Sequence, residues 1–205
     1  MALINELEKM RDYYDSGATR SYGFRKEQLL KLKKVLLKYE QEIYDALYAD
    51  LKKSKEEAYA SELGLLLGEI KMTLSNLKQW MEPKTVDTEL VNLPASCKIY
   101  RDPFGVVLII APWNYPLQLL LIPFVGAIAG GNCVILKPSE FSSATSSLIH
   151  KMISEIFPPE YVKVMEGDGA TVIPEMMNEF RFDSVFYTGS VPVGKIIYKA
   201  AAEKL

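Results

Sequence analysis

Three short stretches of the chain carry residue types whose spacing suits chemistry. Asn114 lies between Trp113 and Tyr115, bracketed by Pro112 and Pro116. Its side-chain amide offers two donors, and a donor held rigidly against a developing oxyanion is typically worth about 10²–10³ in rate. The same position also suits a turn asparagine bonded to its own backbone. Lys137 follows four apolar residues, and Glu140 comes three positions later. A carboxylate can accept both hydroxyls of a ribose while an ammonium donates to one of them; a salt-linked turn capping the next helix fits equally. Gly189 and Gly194 enclose Ser-Val-Pro-Val. A glycine-bracketed turn into a helix presents free N–H groups and a positive dipole end, which together suit a phosphate, although many such turns use glycine for its conformation alone. The G-x-G-x-x-G pattern is absent, because Gly167-Asp-Gly169 continues as Ala-Thr-Val.

These stretches need strand ends to hold them, and the hydrophobic pattern supplies some. From residue 105 it predicts strands over 106–111, 133–136, 162–166 and 184–188. Helices are expected over 117–130, 142–157 and 172–178 and from 193 onward. Strands alternating with helices imply an α/β fold with a doubly wound parallel sheet, and in such a sheet ligands sit outside the carboxyl ends of the strands. All three stretches are expected at that one edge. The region 103–136 carries no charged residue, but Pro112, Pro116 and Pro123 punctuate it. It is therefore expected to be strand, helix and strand buried on both faces, with no membrane span.

The first hundred residues are mostly helical. Leu29, Leu32, Leu36, Ile43 and Leu47 mark one face of a helix over 25–50, with Lys31, Lys33, Lys34 and Lys38 on its solvated side. Ser54-Lys-Glu-Glu57 is a capping box that opens a second long helix. Leu63, Leu66, Leu67, Ile70, Leu74 and Leu77 form its apolar stripe, and Pro83 ends it by residue 82. Residues 85–100 mix β-favouring types around a break at 92–96, which predicts a protruding strand pair. The division is thus 1–84 helical, 85–103 strand pair and 104–205 α/β.

Composition excludes several classes of function. The formal net charge is −2, which argues against nucleic acid. Cys97 and Cys133 are the only cysteines and His150 the only histidine, so no metal site is expected. Two cysteines without a signal peptide fit a reducing, cytoplasmic setting. Cys133 begins a buried strand and is expected to be inert. Cys97 and His150 are expected to be structural or surface residues.

The run GVVLIIAPWNYPLQLLLIPFVGAIAGGNCVILKPSE over 105–140 resembles the aldehyde dehydrogenase superfamily, and FYTGSVPVGKIIYKAAAEKL continues the likeness. RKEQLLKLKKVLLKYE and ALYADLKKSKEEAYASELG are similar to its short-N-terminus branch, the class 3 and fatty aldehyde dehydrogenases, which act on medium- and long-chain or aromatic aldehydes. The resemblance implies a Rossmann-like cofactor domain that takes NAD or NADP, and a homodimer joined through the strand pair. It implies that Asn114 is the oxyanion-hole residue and that Lys137 and Glu140 hold the adenosine ribose. Gly189, Ser190 and Gly194 would follow the pyrophosphate, Tyr187 would stand beside the cofactor, and Ala111, Pro112 and Trp113 would line the crevice towards the nicotinamide.

It further implies oxidation of an aldehyde to a carboxylic acid, begun by a cysteine thiolate at the aldehyde carbon and ended by water that a glutamate activates. Neither the family's nucleophilic cysteine nor its general-base glutamate lies within 1–205. The helix running into residue 205 has no closing signal, so the chain is expected to be the amino-terminal part of such an enzyme, inactive alone, with the catalytic domain absent. A non-catalytic dinucleotide-binding or interaction module, and part of a related acyl-CoA or acyl-phosphate reductase, remain as alternatives.

Overall fold

A computed structural model describes residues 2–92 and 94–204. Helix α1 (Ala2–Asp15) leads into α2 (Tyr22–Lys38) and α3 (Glu40–Leu51). The single helix expected over 25–50 is therefore two. Tyr39 leaves helical geometry at φ −103°, ψ 20°, capping α2 while opening α3. The apolar face was placed correctly, since Leu29, Leu32, Leu36, Ile43 and Leu47 are all buried. Leucine spacing marks the buried face but carries no signal for a one-residue interruption that keeps both halves in phase.

Ser54 caps α4 (Lys55–Ala58) by accepting from the Glu57 N–H at 3.2 Å. The helix continues through a π-helical turn (Tyr59–Leu63) into α5 (Gly64–Met81), which ends just before Pro83. The strands β1 (Lys84–Val86) and β2 (Cys97–Ile99) pair antiparallel as a separate exposed ribbon.

The main sheet contains β3 (Val106–Ile110), β4 (Cys133–Lys137), β5 (Val162–Val164) and β6 (Ser184–Tyr187) in the order β5-β4-β3-β6, all parallel. Between them run α6 (Gln118–Gly130), α7 (Ser143–Ile156) and α8 (Gly169–Glu179), and α9 (Val191–Ala202) follows β6. Helix α8 begins three residues earlier than expected from sequence, because Asp168 serves as its N-cap. Every residue of β3 and β4 is buried, as their uninterrupted apolar runs require.

Chain direction across the sheet reverses once. It moves from β3 out to β4 and β5, then returns to lay β6 on the other side of β3. Right-handed crossovers therefore put α6 and α7 on one face and α8 on the other. Helices α2, α3 and α5 pack behind α6 and α7, while α1 lies against β3, β4 and α8. Among the described residues, no helix is long and apolar enough to cross a membrane. Helix α6 is the most apolar, and both its ends meet buried side chains. Arg25 donates to the Ala129 carbonyl at 3.2 Å near its negative end, and Glu62 accepts from the Leu117 and Gln118 N–H groups at its positive end. Each charge opposes the helix dipole at that end.

Candidate active site at the carboxyl edge of the sheet

The reversal of direction leaves a switch point between β3 and β6, where open α/β sheets take their ligands. The three stretches singled out from sequence extend from β3, β4 and β6, which are neighbours, and all leave at the same edge. Backbone bonds join their roots: the Ala111 N–H reaches the Lys137 carbonyl at 3.2 Å, and the Thr188 N–H reaches the Ile110 carbonyl at 3.0 Å.

Beyond β3, Ala111 is buried and Pro112 half-buried, whereas Trp113, Asn114 and Tyr115 are exposed. The Asn114 carbonyl accepts from Lys53 Nζ at 3.0 Å. Beyond β4, Lys137 is sealed at 2 % side-chain exposure; its Nζ donates to the Pro138 carbonyl at 2.7 Å and to Glu140 Oε2 at 3.2 Å. Glu140 is 30 % exposed and is the open member of the pair. Its Oε1 accepts from the Gly169 N–H at 3.0 Å, so it caps α8. The next helix, α7, is capped instead by Asp50, which accepts from the Ala144 and Thr145 N–H groups at 3.1 and 2.8 Å.

Burial pushes the Glu140 carboxyl up, but its own N–H, that of Gly169 and the Lys137 ammonium outweigh this and hold it below the ordinary 4.5. Glu166 is likewise held low: burial raises it, and the His150 and serine contacts more than reverse that. For carboxyls depressed in the folded state, the stabilisation is present above the unfolded value and lost as pH falls through the folded one. Thermal midpoints are accordingly expected to hold from pH 7 to about 5 and to drop below about 4.5. Glu140→Gln should flatten that acid limb in a calorimetric pH series.

Beyond β6, the Tyr187 ring lies across the turn. A Cβ on Gly189 would come within 2.2 Å of the Tyr187 hydroxyl, so only glycine admits this ring position. An open groove of about 520 Å³ runs past Tyr187, Gly189, Ser190 and Gly194, with Lys195 and Lys199 on its wall. The start of α9 differs from its three predecessors. Carboxylates of Glu62, Asp50 and Glu140 meet the starts of α6, α7 and α8. Among the described residues, α9 receives no side-chain cap, and Pro192 in its first turn leaves the Val191 and Val193 N–H groups as donors. A second groove of about 390 Å³ between α6, β3 and β6 is lined mainly by apolar groups such as Val107, Ile109 and Phe186, and offers no titrating side chain beyond Asp102 at its rim.

The two cysteines divide sharply. Cys133 is fully buried in β4, and burial pushes its thiol up to about 12. Cys97 is exposed on β2. A thiol reagent at pH 7.5 is expected to modify one group, Cys97, in the native chain and two after denaturation; native labelling of Cys133 would contradict its burial. His150 Nδ1 pairs with Glu166 Oε2 at 2.6 Å on the surface. No group of three or more potential metal ligands occurs among the described residues.

Sequence reasoning missed Asp50, Lys53, Glu62, Lys195 and Lys199. Only Glu62 carried a usable signal. It lies four residues before Leu66 and eight before Ile70, on the apolar stripe itself, and a charge there must find a buried partner.

A sequence profile described as the aldehyde dehydrogenase family matches residues 6–205. The chain belongs to the aldehyde dehydrogenase family. It is 46 % identical over 199 residues to 4,4'-diaponeurosporen-aldehyde dehydrogenase of Staphylococcus aureus, covering 94 % of this chain and 43 % of that one. It is 42 % identical over 201 residues to aldehyde dehydrogenase family 3 member H1 of Arabidopsis thaliana, covering 98 % and 41 %. Among solved structures, the substrate-bound state of Staphylococcus aureus AldH superposes with a TM-score of 0.95 at 44 % identity, over 98 % of this chain and 43 % of that one. Betaine aldehyde dehydrogenase of Staphylococcus aureus in complex with NAD+ superposes at 0.84 with 25 % identity, over 98 % and 40 %. The chain thus spans about two-fifths of the length of these relatives.

Proposed function

We propose that this chain forms the cofactor-binding and oxyanion-stabilising part of an aldehyde dehydrogenase that oxidises medium- or long-chain or aromatic aldehydes to carboxylic acids with NAD or NADP. The observation that carries the reading is the meeting of Asn114, the Lys137–Glu140 pair and the uncapped start of α9 at one switch point. The residues present fit a dinucleotide. The Val191 and Val193 N–H groups and the dipole end of α9 receive the pyrophosphate beside Gly189, Ser190 and Gly194. Glu140, open and ionised, accepts the ribose hydroxyls while Lys137 fixes its orientation. Tyr187, Ala111, Pro112 and Trp113 line the path towards the reacting end. When bound, the nicotinamide supplies the hydride acceptor. Asn114 donates its side-chain N–H to the oxygen that becomes negative when a thiolate adds to the aldehyde carbon.

Neither cysteine here is that thiolate. Cys133 is sealed within the sheet, and Cys97 sits on the ribbon β1–β2. The 205-residue chain alone is therefore expected to turn over no aldehyde. The ribbon carries exposed Leu90, Val91, Ile99 and Tyr100, an apolar surface suited to joining two subunits of a homodimer.

Titrating the ¹⁵N-labelled chain with NAD tests the cofactor reading. Shifts are expected at Gly189, Ser190, Gly194 and Glu140, with affinity weaker than about micromolar, since a chain spanning about two-fifths of its relatives supplies only part of the crevice. Shifts confined to other regions would overturn the assignment. So would aldehyde-dependent NADH formation that disappears when Cys133 is replaced.

A further inference from the structure

An oxyanion donor must be held still before the charge arrives, yet the loop bearing Asn114 is exposed across Trp113, Asn114 and Tyr115. Among the described residues, the Asn114 side-chain amide makes no bond to the protein. What fixes the loop lies beneath it. Lys53 is 7 % and Glu62 0 % exposed, and Lys53 Nζ stands 2.5 Å from Glu62 Oε1. The same Nζ donates to the Asn114 carbonyl at 3.0 Å and sits 3.9 Å from the centroid of the Tyr115 ring. The other oxygen, Glu62 Oε2, accepts from the Leu117 and Gln118 N–H groups at 2.9 and 3.3 Å. One buried ion pair thus touches the chain at residues 114, 115, 117 and 118.

The local fold is shaped to deliver it. Glu62 lies in the π-helical turn Tyr59–Leu63, a rare feature whose extra residue resets which side chains face inward. Gly64 permits that turn, because a Cβ there would lie 2.7 Å from the Tyr59 carbonyl oxygen. Lys53 follows the left-handed Lys52 at φ 58° that ends α3. An apolar pair of similar volume is often as stable as a buried ion pair. Such a pair has no donor for the Asn114 carbonyl.

We infer that Lys53 is a positioning residue for the Asn114 amide and that Glu62 holds Lys53 in place while capping α6. This rests on the oxyanion reading of Asn114 for its functional meaning. The geometric claim can be tested without turnover.

The decisive variant is Lys53→Met/Glu62→Gln in the full 205-residue chain with Trp80→Phe, which leaves Trp113 as the only tryptophan. The glutamine carbonyl keeps an acceptor at the start of α6, and no unpaired charge remains buried. A capping role alone predicts wild-type behaviour of the loop in this variant. Positioning through Lys53 predicts that the backbone ¹⁵N relaxation of Asn114 and Tyr115 moves to that of a mobile surface loop. The Trp113 emission should shift at the same time, while amide exchange at Leu117 and Gln118 and across β3 and β4 is retained. Lys53→Arg, with the charge and donors kept, should restore the Asn114 signal in part. Asn114 and Tyr115 backbone relaxation and a Trp113 emission unchanged in the double variant would overturn the inference. Loss of protection throughout β3 and β4 would also overturn it, by making the pair a general support of the fold. Failure of the oxyanion reading is seen separately, as undiminished aldehyde turnover after Asn114→Ala in a chain that joins this segment to an activated cysteine, and would leave these readouts unmoved.

Discussion

Aldehyde oxidation by a chain that joins this segment to an activated cysteine is expected to fall about 10²–10³-fold in kcat when Asn114 becomes alanine. On the proposed reading the amide donates to an oxygen that is a carbonyl in the ground state and an anion after thiolate addition, so its contribution would grow along the reaction coordinate. KM for the dinucleotide should change far less than kcat, because the ribose and pyrophosphate contacts proposed above come from β4, β6 and the start of α9. Steady-state kinetics with both substrates varied separates the two effects. A variant that kept full turnover would remove Asn114 from the chemical step, whereas a rise in dinucleotide KM with kcat unchanged would make it a binding residue. Because Asn114 is exposed and its side-chain amide makes no bond among the described residues, the expected loss in kcat requires the loop to be held from below, which is the part given to Lys53.

The second large effect falls on stability. Lys53→Met leaves Glu62 buried with no cation beside it, and breaking such a pair typically costs about 3–5 kcal/mol. The double variant Lys53→Met/Glu62→Gln should recover most of that loss, because the uncompensated charge is gone while an acceptor for Leu117 or Gln118 remains. Urea unfolding of the two single variants and the double variant measures the coupling directly. Equal costs for the single and double variants would mean that the charge itself matters little. The pair is fully enclosed, so screening by salt should alter the result only slightly.

These predictions concern residues that differed greatly in how legible they were. Asn114, Lys137, Glu140 and Gly189–Gly194 could be picked out because each follows a short apolar run, and an apolar run flanked by turn residues is a strong local signal for a strand end. Lys53 and Glu62 were not picked out. One stands in a lysine-rich linker and the other inside a helix, and their pairing depends on a π-helical turn that has no compositional mark. Asp50, which caps α7 from 94 residues away, is a case of the same kind. Its partner belongs to a different element, and spacing along one element cannot show it.

The sequence by itself determined the α/β class, the buried strands β3 and β4, the N-cap at Ser54 and the family, because each rests on a contiguous pattern of residue types. It also separated Cys133 from any reactive role, since a cysteine opening an apolar strand has nowhere to go but inside. Tertiary structure alone decided where the long helix breaks at Tyr39 and that Glu140 caps α8 rather than α7. It alone showed that carboxylates cap the starts of α6, α7 and α8 while, among the described residues, none caps α9, and that a buried lysine lies under Asn114. Those features depend on which groups meet across tens of residues. That is set by the handedness and order of the crossovers and by backbone N–H groups that must find acceptors once buried.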